Sequence, residues 1–336
     1  MISEGRDGPM AFSSVAGQPL AKRLLENAVR RGTKGRAYLF AGPRGTGKMT
    51  AARELAKAVL CLAPEPGDRP CGQCADCRKM ERGQHPGFVV VEPDGEAIKI
   101  DQIRSLQARF HYRPASAGAE PVGVYVIRQA ERMTAQAANS LLKFLEEPAT
   151  PVVAVLIAEN ASALLPTIRS RVQRVPFVPA PPSELERLLL ERGVAEELAR
   201  PAARLAAGID AAFELASSAW FGETLKTVLG WAERAVAGVA EALVDVFKYC
   251  SKWTEDQWEV AFELFALWCL DLACVAVGGR TPVFCEKRER MAALASRREP
   301  AHWATCAEEA VRARRRLRQH VQPQAEMERL LILLHG

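Results

Sequence analysis

"AYLFAGPRGTGKMT", residues 37–50, joins a short apolar run to a glycine-rich turn and then to residues with helical spacing. Gly42, Gly45 and Gly47 let backbone N–H groups wrap an anion, and Lys48 adds a cation. The helix that follows points its positive end the same way. Strand, loop and helix in that order form a phosphate-binding loop, and it places an α/β layer in the N-terminal part of the chain. The position after the lysine ordinarily carries a Ser or Thr hydroxyl for Mg²⁺; here it is Met49. A thioether is a poor ligand for a hard cation that prefers oxygen. Thr50 is no easy replacement, because one step along a helix turns the side chain by about 100°.

Outward from the loop, strand-like and helix-like segments alternate to about residue 178. "TAARELAKAVLCL" (50–62) has helical spacing, with Leu55 and Val59 on one face. "GFVVVEP" (87–93), "VGVYVIR" (122–128) and "PVVAVLIAEN" (151–160) are rich in β-branched residues and predict buried strands. "MTAQAANSLLKFLEEP" (133–148) predicts an amphipathic helix with Ala138, Leu141, Leu142 and Leu145 as its apolar stripe, ending before Pro148. Such alternation predicts a mainly parallel sheet. The Pro-rich "VPFVPAPPS" (175–183) marks a domain edge, and beyond it the sequence has helical character with almost no strand signal.

The strand "VYVI" (124–127) should end at the metal-holding carboxylates of a nucleotide-hydrolysing site. Instead Arg128 and Gln129 follow, then Ala130 and Glu131. A cation at that place opposes Mg²⁺ binding. With Met49, the exceptions fall at two positions of one site and act in the same direction. Weak phosphate affinity through Lys48 is compatible with these residues, so ATP binding is doubtful and useful turnover is not expected.

The 336 residues carry 49% apolar and 25% charged side chains and a formal net charge of +5. That balance suits a soluble globular protein of two or three domains, with a basic bias compatible with nucleic-acid work but no proof of it. No apolar run reaches the ~18 residues of a membrane span, and "MISEGRDGPM" (1–10) lacks the apolar segment of a signal peptide, so the cytoplasm is the expected compartment. Of nine cysteines, four cluster as Cys61, Cys71, Cys74 and Cys77. Two overlapping C-x2-C steps suit a tight turn around Zn²⁺, and Cys61 completes a Cys₄ set. Four ligands leave no open position, so the zinc is expected to be structural. His85 reads as a surface or turn residue before Pro86. "VRARRRLRQH" (311–320), with Arg312, Arg314, Arg315, Arg316 and Arg318, reads as a solvated basic helix face, and Trp253, Trp258 and Trp268 as core.

Taken together, "FSSVAGQPLAKRLLENAV" (12–29), "AYLFAGPRGTGK", the four cysteines, "IKIDQIRSL" (98–106), "AANSLLKFLEEP" and "LLPTIRSRVQ" (164–173) resemble, in this order, the clamp-loader subunits of bacterial DNA polymerase III, members of the AAA+ class. The likeness is strong over about residues 10–180 and weaker beyond, where "QPQAEMERLLILL" (322–334) is similar to the helix closing the family's C-terminal collar. The resemblance implies an AAA+ P-loop domain over 10–178 with a zinc module at about 61–80, a helical lid over 179–222 and an all-α collar over 223–336.

Motor subunits of that family, gamma or tau, have intact site motifs, whereas delta-prime subunits often have decayed ones. Met49, Arg128 and Gln129 depart from the motor pattern. So do Ala158 and Glu159, where polar threonines are expected of a sensor strand, and "AAGIDAAFELA" (206–216), which lacks the lid arginine. The sequence is nearer delta-prime. The family's Ser-Arg-Cys triplet is here Ser170-Arg171-Val172. The resemblance implies that Arg171 reaches the γ-phosphate held by a neighbouring subunit, as an arginine finger does. A bland reading, Arg171 as a solvated charge beside a strand, stays open. Implied partners are gamma/tau and delta subunits and, through the complex, the sliding clamp and primed DNA, with no membrane. The alternatives are a divergent gamma/tau-type motor ATPase and a stand-alone P-loop kinase or NTPase.

Overall fold

The computed structural model describes residues 12, 14–31, 37–63, 69–111, 123–147, 151–249, 253–279, 281–317, 319 and 321–336. The start of the expected first domain, residues 64–68 of the cysteine module, and Arg318 lie outside them. The chain divides into two compact units: Met1–Ala180 with Ala207–Asp210, and Pro181–Ala206 with Ala211–Gly336.

The first unit is an α/β layer structure. Its strands are β1 (Ala37–Ala41), β2 (Phe88–Val91), β3 (Gly123–Ile127), β4 (Val152–Ala158) and β5 (Gln173–Pro176). They pair in the order β2-β3-β4-β1-β5, every pair parallel. The helices are α1 (Pro19–Arg30), α2 (Lys48–Leu60), α3 (Ala75–Glu81), α4 (Ile100–His111), α5 (Ala135–Glu146) and the single turn α6 (Pro166–Arg169).

Alternate strand residues feed two cores. Tyr38, Phe40, Val124, Val126, Val153 and Val155 pack with Leu25 of α1 and Leu55 of α2 on one face. Leu39, Tyr125, Ile127, Val152, Ala154 and Leu156 pack with Ile103 of α4 and Leu141 of α5 on the other. Both faces being covered explains why β3 and β4 read as unbroken apolar runs rather than as alternating patterns. The expected stripe of α5 is rotated. Ala137, Ala138, Leu141 and Phe144 are its buried residues, while Leu142 and Leu145 are only partly covered. The aromatic ring decides this: Phe144 stacks on Tyr125 at 5.4 Å.

The second unit contains, among the described residues, helices and no strand. They are α7 (Pro182–Glu191), α8 (Glu196–Leu205), α9 (Ile209–Ser217, whose first two residues belong to the first unit), α10 (Phe221–Ala237), α11 (Val239–Tyr249), α12 (Glu255–Ala276), α13 (Arg288–Ala295), α14 (Pro300–Leu317) and α15 (Pro323–His335). Thr254 and Gln257 form a capping box that starts α12. Trp258 and Trp268 are buried in α12, as expected of core. Trp253 precedes that helix and bridges Trp231 and Trp258 at 5.4 and 5.0 Å.

The basic run of α14 is drawn into ion pairs. Arg312 meets Glu308 and Glu309, Arg314 meets Glu263, and Arg316 holds Glu326 with two bonds of 2.8 and 3.0 Å; Arg315 is exposed. No helix among the described residues is long and apolar enough to cross a membrane.

Candidate functional site

The parallel register brings the carboxyl ends of β1, β3 and β4 to one edge of the sheet, with Ala41 paired to Ala158. The glycine-rich loop begins there. Gly42 N donates to Ala158 O at 3.2 Å, and a Cβ on Gly42 would lie 1.9 Å from the carbonyl oxygen of Phe177. Only glycine fits that approach. Gly45 and Gly47 have φ of 80° and 82°, the left-handed region that glycine enters without strain. Gly47 then starts α2 with no side-chain cap, leaving first-turn N–H groups facing the loop as the sequence predicts.

Lys48 is where the loop departs from an open phosphate cradle. Its ammonium is buried and donates to the carbonyl oxygens of Gly42 at 2.6 Å and Pro43 at 2.5 Å, with Thr46 Oγ1 at 3.5 Å. An ammonium has three N–H donors, and the loop's own oxygens accept all three. Burial pushes its pKa below the ordinary 10.5, with the charges of Glu159 and Glu131 pulling the other way. Met49 is partly buried and packs against the core formed by α1, α2 and the sheet. Thr50 Oγ1 donates to Asp210 Oδ2 at 3.0 Å.

The segment carrying Asp210 also covers the loop. A Cβ on Gly208 would lie 2.1 Å from Gly45 O and 2.7 Å from Thr46 Cα, so backbone runs against backbone there. Sequence reading missed this approach, because Gly208 stands far from the loop along the chain. Its signal was the glycine of "AAGID" (206–210), read only for the arginine that follows in relatives.

Beyond β3, Arg128 turns to Glu92 at 2.5 Å, so the cation at the expected metal position is neutralised by a carboxylate from the end of β2. Gln129 takes a left-handed φ of 49°. Glu131 accepts the backbone N–H of Glu159 at 2.9 Å through Oε1. This ties the carboxylate to the end of β4.

Arg171 follows α6 and is exposed at the surface. It donates from Nε to Glu146 Oε1 and from Nη1 to Thr167 O at 3.0 Å and Ser170 Oγ at 3.3 Å. Sequence reading had no role for Glu146. The signal was an acidic pair at the negative end of a helix dipole, which calls for a compensating cation.

The sulfurs of Cys61, Cys71, Cys74 and Cys77 all lie within 4.8 Å of one another. A metal at ~2.3 Å from each sulfur fits that spacing. Backbone N–H groups already point at the sulfurs: Ala63 and Cys71 to Cys61 at 3.4 Å, Cys74 to Cys71 at 3.4 Å, and Cys77 to Cys74 at 3.3 Å. Burial raises the Cys61 and Cys77 thiols. At Cys74 burial also pushes upward, but the N–H groups of Leu62 and Cys77 outweigh it and bring the pKa to about 6. Four sulfurs this close could hold a metal ion between them, whose charge would favour the thiolate forms. His85 is buried rather than on the surface. Its Nδ1 accepts from Gly87 N at 3.0 Å and its Nε2 lies 3.4 Å from Asp76, which bridges it to the cysteine module.

A family model described as "DNA polymerase III, delta subunit" matches residues 17–181. The DNA polymerase III subunit delta' of Bacillus subtilis (strain 168) is 34% identical over 331 residues, 94% of this chain and 96% of that protein. The subunit delta' of Pseudomonas aeruginosa is 31% identical over 257 residues, 76% of each chain. A DNA polymerase III subunit gamma/tau of Mycobacterium tuberculosis is 35% identical over 182 residues, 54% of this chain and 31% of that one. Among solved structures, a DNA polymerase III gamma subunit-related protein of Thermotoga maritima aligns with 93% of this chain and 98% of its own at 20% identity, with a TM-score of 0.47.

Proposed function

This chain belongs to the delta' family of DNA polymerase III subunits, and from that premise we propose that it is a non-hydrolysing clamp-loader subunit that lends Arg171 to the ATP site of a neighbouring motor. Its partners are then gamma/tau and delta subunits and, through the complex, the sliding clamp and primed DNA, in the cytoplasm. The observation that carries this reading is the self-bonded lysine: Lys48 gives its N–H groups to Gly42, Pro43 and Thr46. Met49 packed against the core, Arg128 on Glu92 and Gly208 against Gly45 support it. Each removes something Mg-ATP hydrolysis needs: a metal ligand, a free metal position or room at the loop.

In this reading the domain at about 10–178 offers Arg171, 179–222 is a lid and 223–336 joins the collar. The cysteine module at about 61–80 holds one structural Zn²⁺, since a closed four-thiolate set suits that ion and leaves no position for substrate.

The test is Mg-ATP turnover by the purified chain, with Lys48→Ala as control for contaminating activity. Turnover equal to the control supports a subunit that kept the fold without the chemistry. Turnover well above it, abolished by Lys48→Ala, replaces this reading with a divergent gamma/tau-type motor. In the reconstituted complex, Arg171→Ala should lower the motors' ATP turnover while leaving assembly unchanged.

A further inference from the structure

Arg171 has five N–H donors, and its surroundings take three of them. Nε donates to Glu146, while the two hydrogens of Nη1 go to the Thr167 carbonyl at 3.0 Å and the Ser170 hydroxyl at 3.3 Å. Nη2 has no partner among the described residues. The guanidinium is thus held at two of its three nitrogens, which leaves both N–H donors of Nη2 for another acceptor. We propose that Glu146 is the positioning residue for Arg171. It fixes the guanidinium so that Nη2 meets the terminal phosphate of a nucleoside triphosphate bound by an adjoining chain. This rests on the reading of Arg171 given above and adds to it the residue that aims it.

Three features support a positional role over a purely structural one. First, the pair is exposed, with side-chain accessibilities of 36% for Arg171 and 48% for Glu146. Exposed pairs of this kind add little to folding stability. Second, the two residues come from separate elements, the last residue of α5 and the residue after the cap of α6. Both elements pack on the same core through Leu141, Phe144 and Ile168, so the base of the clamp is rigid. Third, a free arginine side chain carries much rotamer freedom, which would have to be lost whenever it reached an anion. Here that ordering is done in advance, by acceptors that engage Nε and Nη1 and leave Nη2 free for the anion. Glu146 also lessens the local positive charge, which by itself weakens anion binding. Its benefit is therefore geometric, and the two effects have opposite signs in a measurement. Arg171 forms no covalent bond in this arrangement; the neighbour's phosphoryl group passes to water, and the guanidinium stabilises the charge on its oxygens.

The experiment uses the complex reconstituted with gamma/tau and delta subunits and measures ATP turnover per assembled ring, splitting kcat from KM. Glu146→Ala should lower kcat by roughly tenfold, within the range that misplacement by about 1 Å produces, with KM and assembly unchanged. Glu146→Gln keeps an oxygen acceptor for Nε and should restore most of the rate. Arg171→Ala runs in parallel. Unchanged turnover in Arg171→Ala overturns the trans role itself and the positioning with it. Loss in Arg171→Ala with full activity in Glu146→Ala overturns the positioning alone. A higher rate in Glu146→Ala, or equal losses in Ala and Gln, would mean that the charge of Glu146 matters and its aim does not, which also overturns the inference.

Discussion

The ammonium of Lys48 lies 2.6 Å from the carbonyl oxygen of Gly42, the residue that opens its own loop. In a working phosphate loop the lysine's donors are directed to the nucleotide; here they brace the turn. Lys48→Ala should therefore behave as a stability variant. It leaves two carbonyls at the loop without their charged donor and should cost about 1–3 kcal/mol, read by denaturant unfolding. Mg-ATP should leave the melting temperature of the unaltered chain where it is. A ligand at about 100 times its Kd would add ~2.7 kcal/mol. A clear rise with Mg-ATP that disappears in Lys48→Ala would mean that the loop opens and binds.

Gly208 gives a second, steric test of the covered loop. Its Cβ-to-be meets the Gly45 oxygen at 2.1 Å, and backbone cannot swing aside as a flexible side chain can. Gly208→Ala should destabilise by about 1–3 kcal/mol, as overpacking does. Gly222, in the first turn of α10, is the control: a Cβ there would meet only Leu198 at an ordinary 3.7 Å. Gly222→Ala should be neutral or more stable by up to about 1 kcal/mol, because the unfolded chain loses freedom. Equal stabilities for the two variants would show that the 207–210 segment does not press on the loop.

The cysteine module offers a metal-removal test. The purified chain should contain about one zinc per molecule by elemental analysis. Cys74→Ser or a strong chelator should remove it and lower the melting temperature, with proteolysis appearing first around residues 61–80. Cys74 also caps α3, accepting from Cys77 N, so its loss frees the start of that helix as well. Full stability at zero metal content would make the four sulfurs a set of free thiols.

Local patterns carried the fold. The strands around Phe40, Tyr125 and Leu156 and the loop glycines are written in short contiguous runs, so periodicity and turn chemistry suffice to place them. Met49 and Arg128 stand out in sequence for the same reason, because each is an unusual side chain at a position defined by its immediate neighbours. What sequence did not carry were partners brought together by the sheet or by helix packing. Gly208 against Gly45, Glu146 beneath Arg171 and Glu263 on Arg314 each depend on closure of distant chain segments. The same holds for the basic helix face. Arg314 and Arg316 read as solvated cations until Glu263 of α12 and Glu326 of α15 meet them, while Arg315 stays exposed as the sequence reading has it. His85 was misplaced for a related reason: its burial follows from the turn that folds it onto Asp76.

Those carboxylates give the last prediction, on acid stability. Glu309 is held below its ordinary pKa of 4.5 by hydrogen bonds from Arg329 and Arg312. At Glu326 burial pushes the pKa upward, but the bonds from Arg316 outweigh it and the net direction is again down from 4.5. A carboxylate with a lowered folded pKa binds fewer protons folded than unfolded in the window between the two values. Its contribution is therefore present above about pH 4.5 and lost as the pH falls through the folded pKa. Glu326→Gln should be less stable than the unaltered chain at pH 7 by on the order of 1 kcal/mol, a figure set by the partial exposure of its arginine partners. The two unfolding free energies should converge as the pH falls from 4.5 through the lowered folded pKa, because protonated Glu326 then resembles the glutamine. Parallel curves over that window would mean that the Arg316–Glu326 pair forms no more strongly in the folded helices than in the unfolded chain.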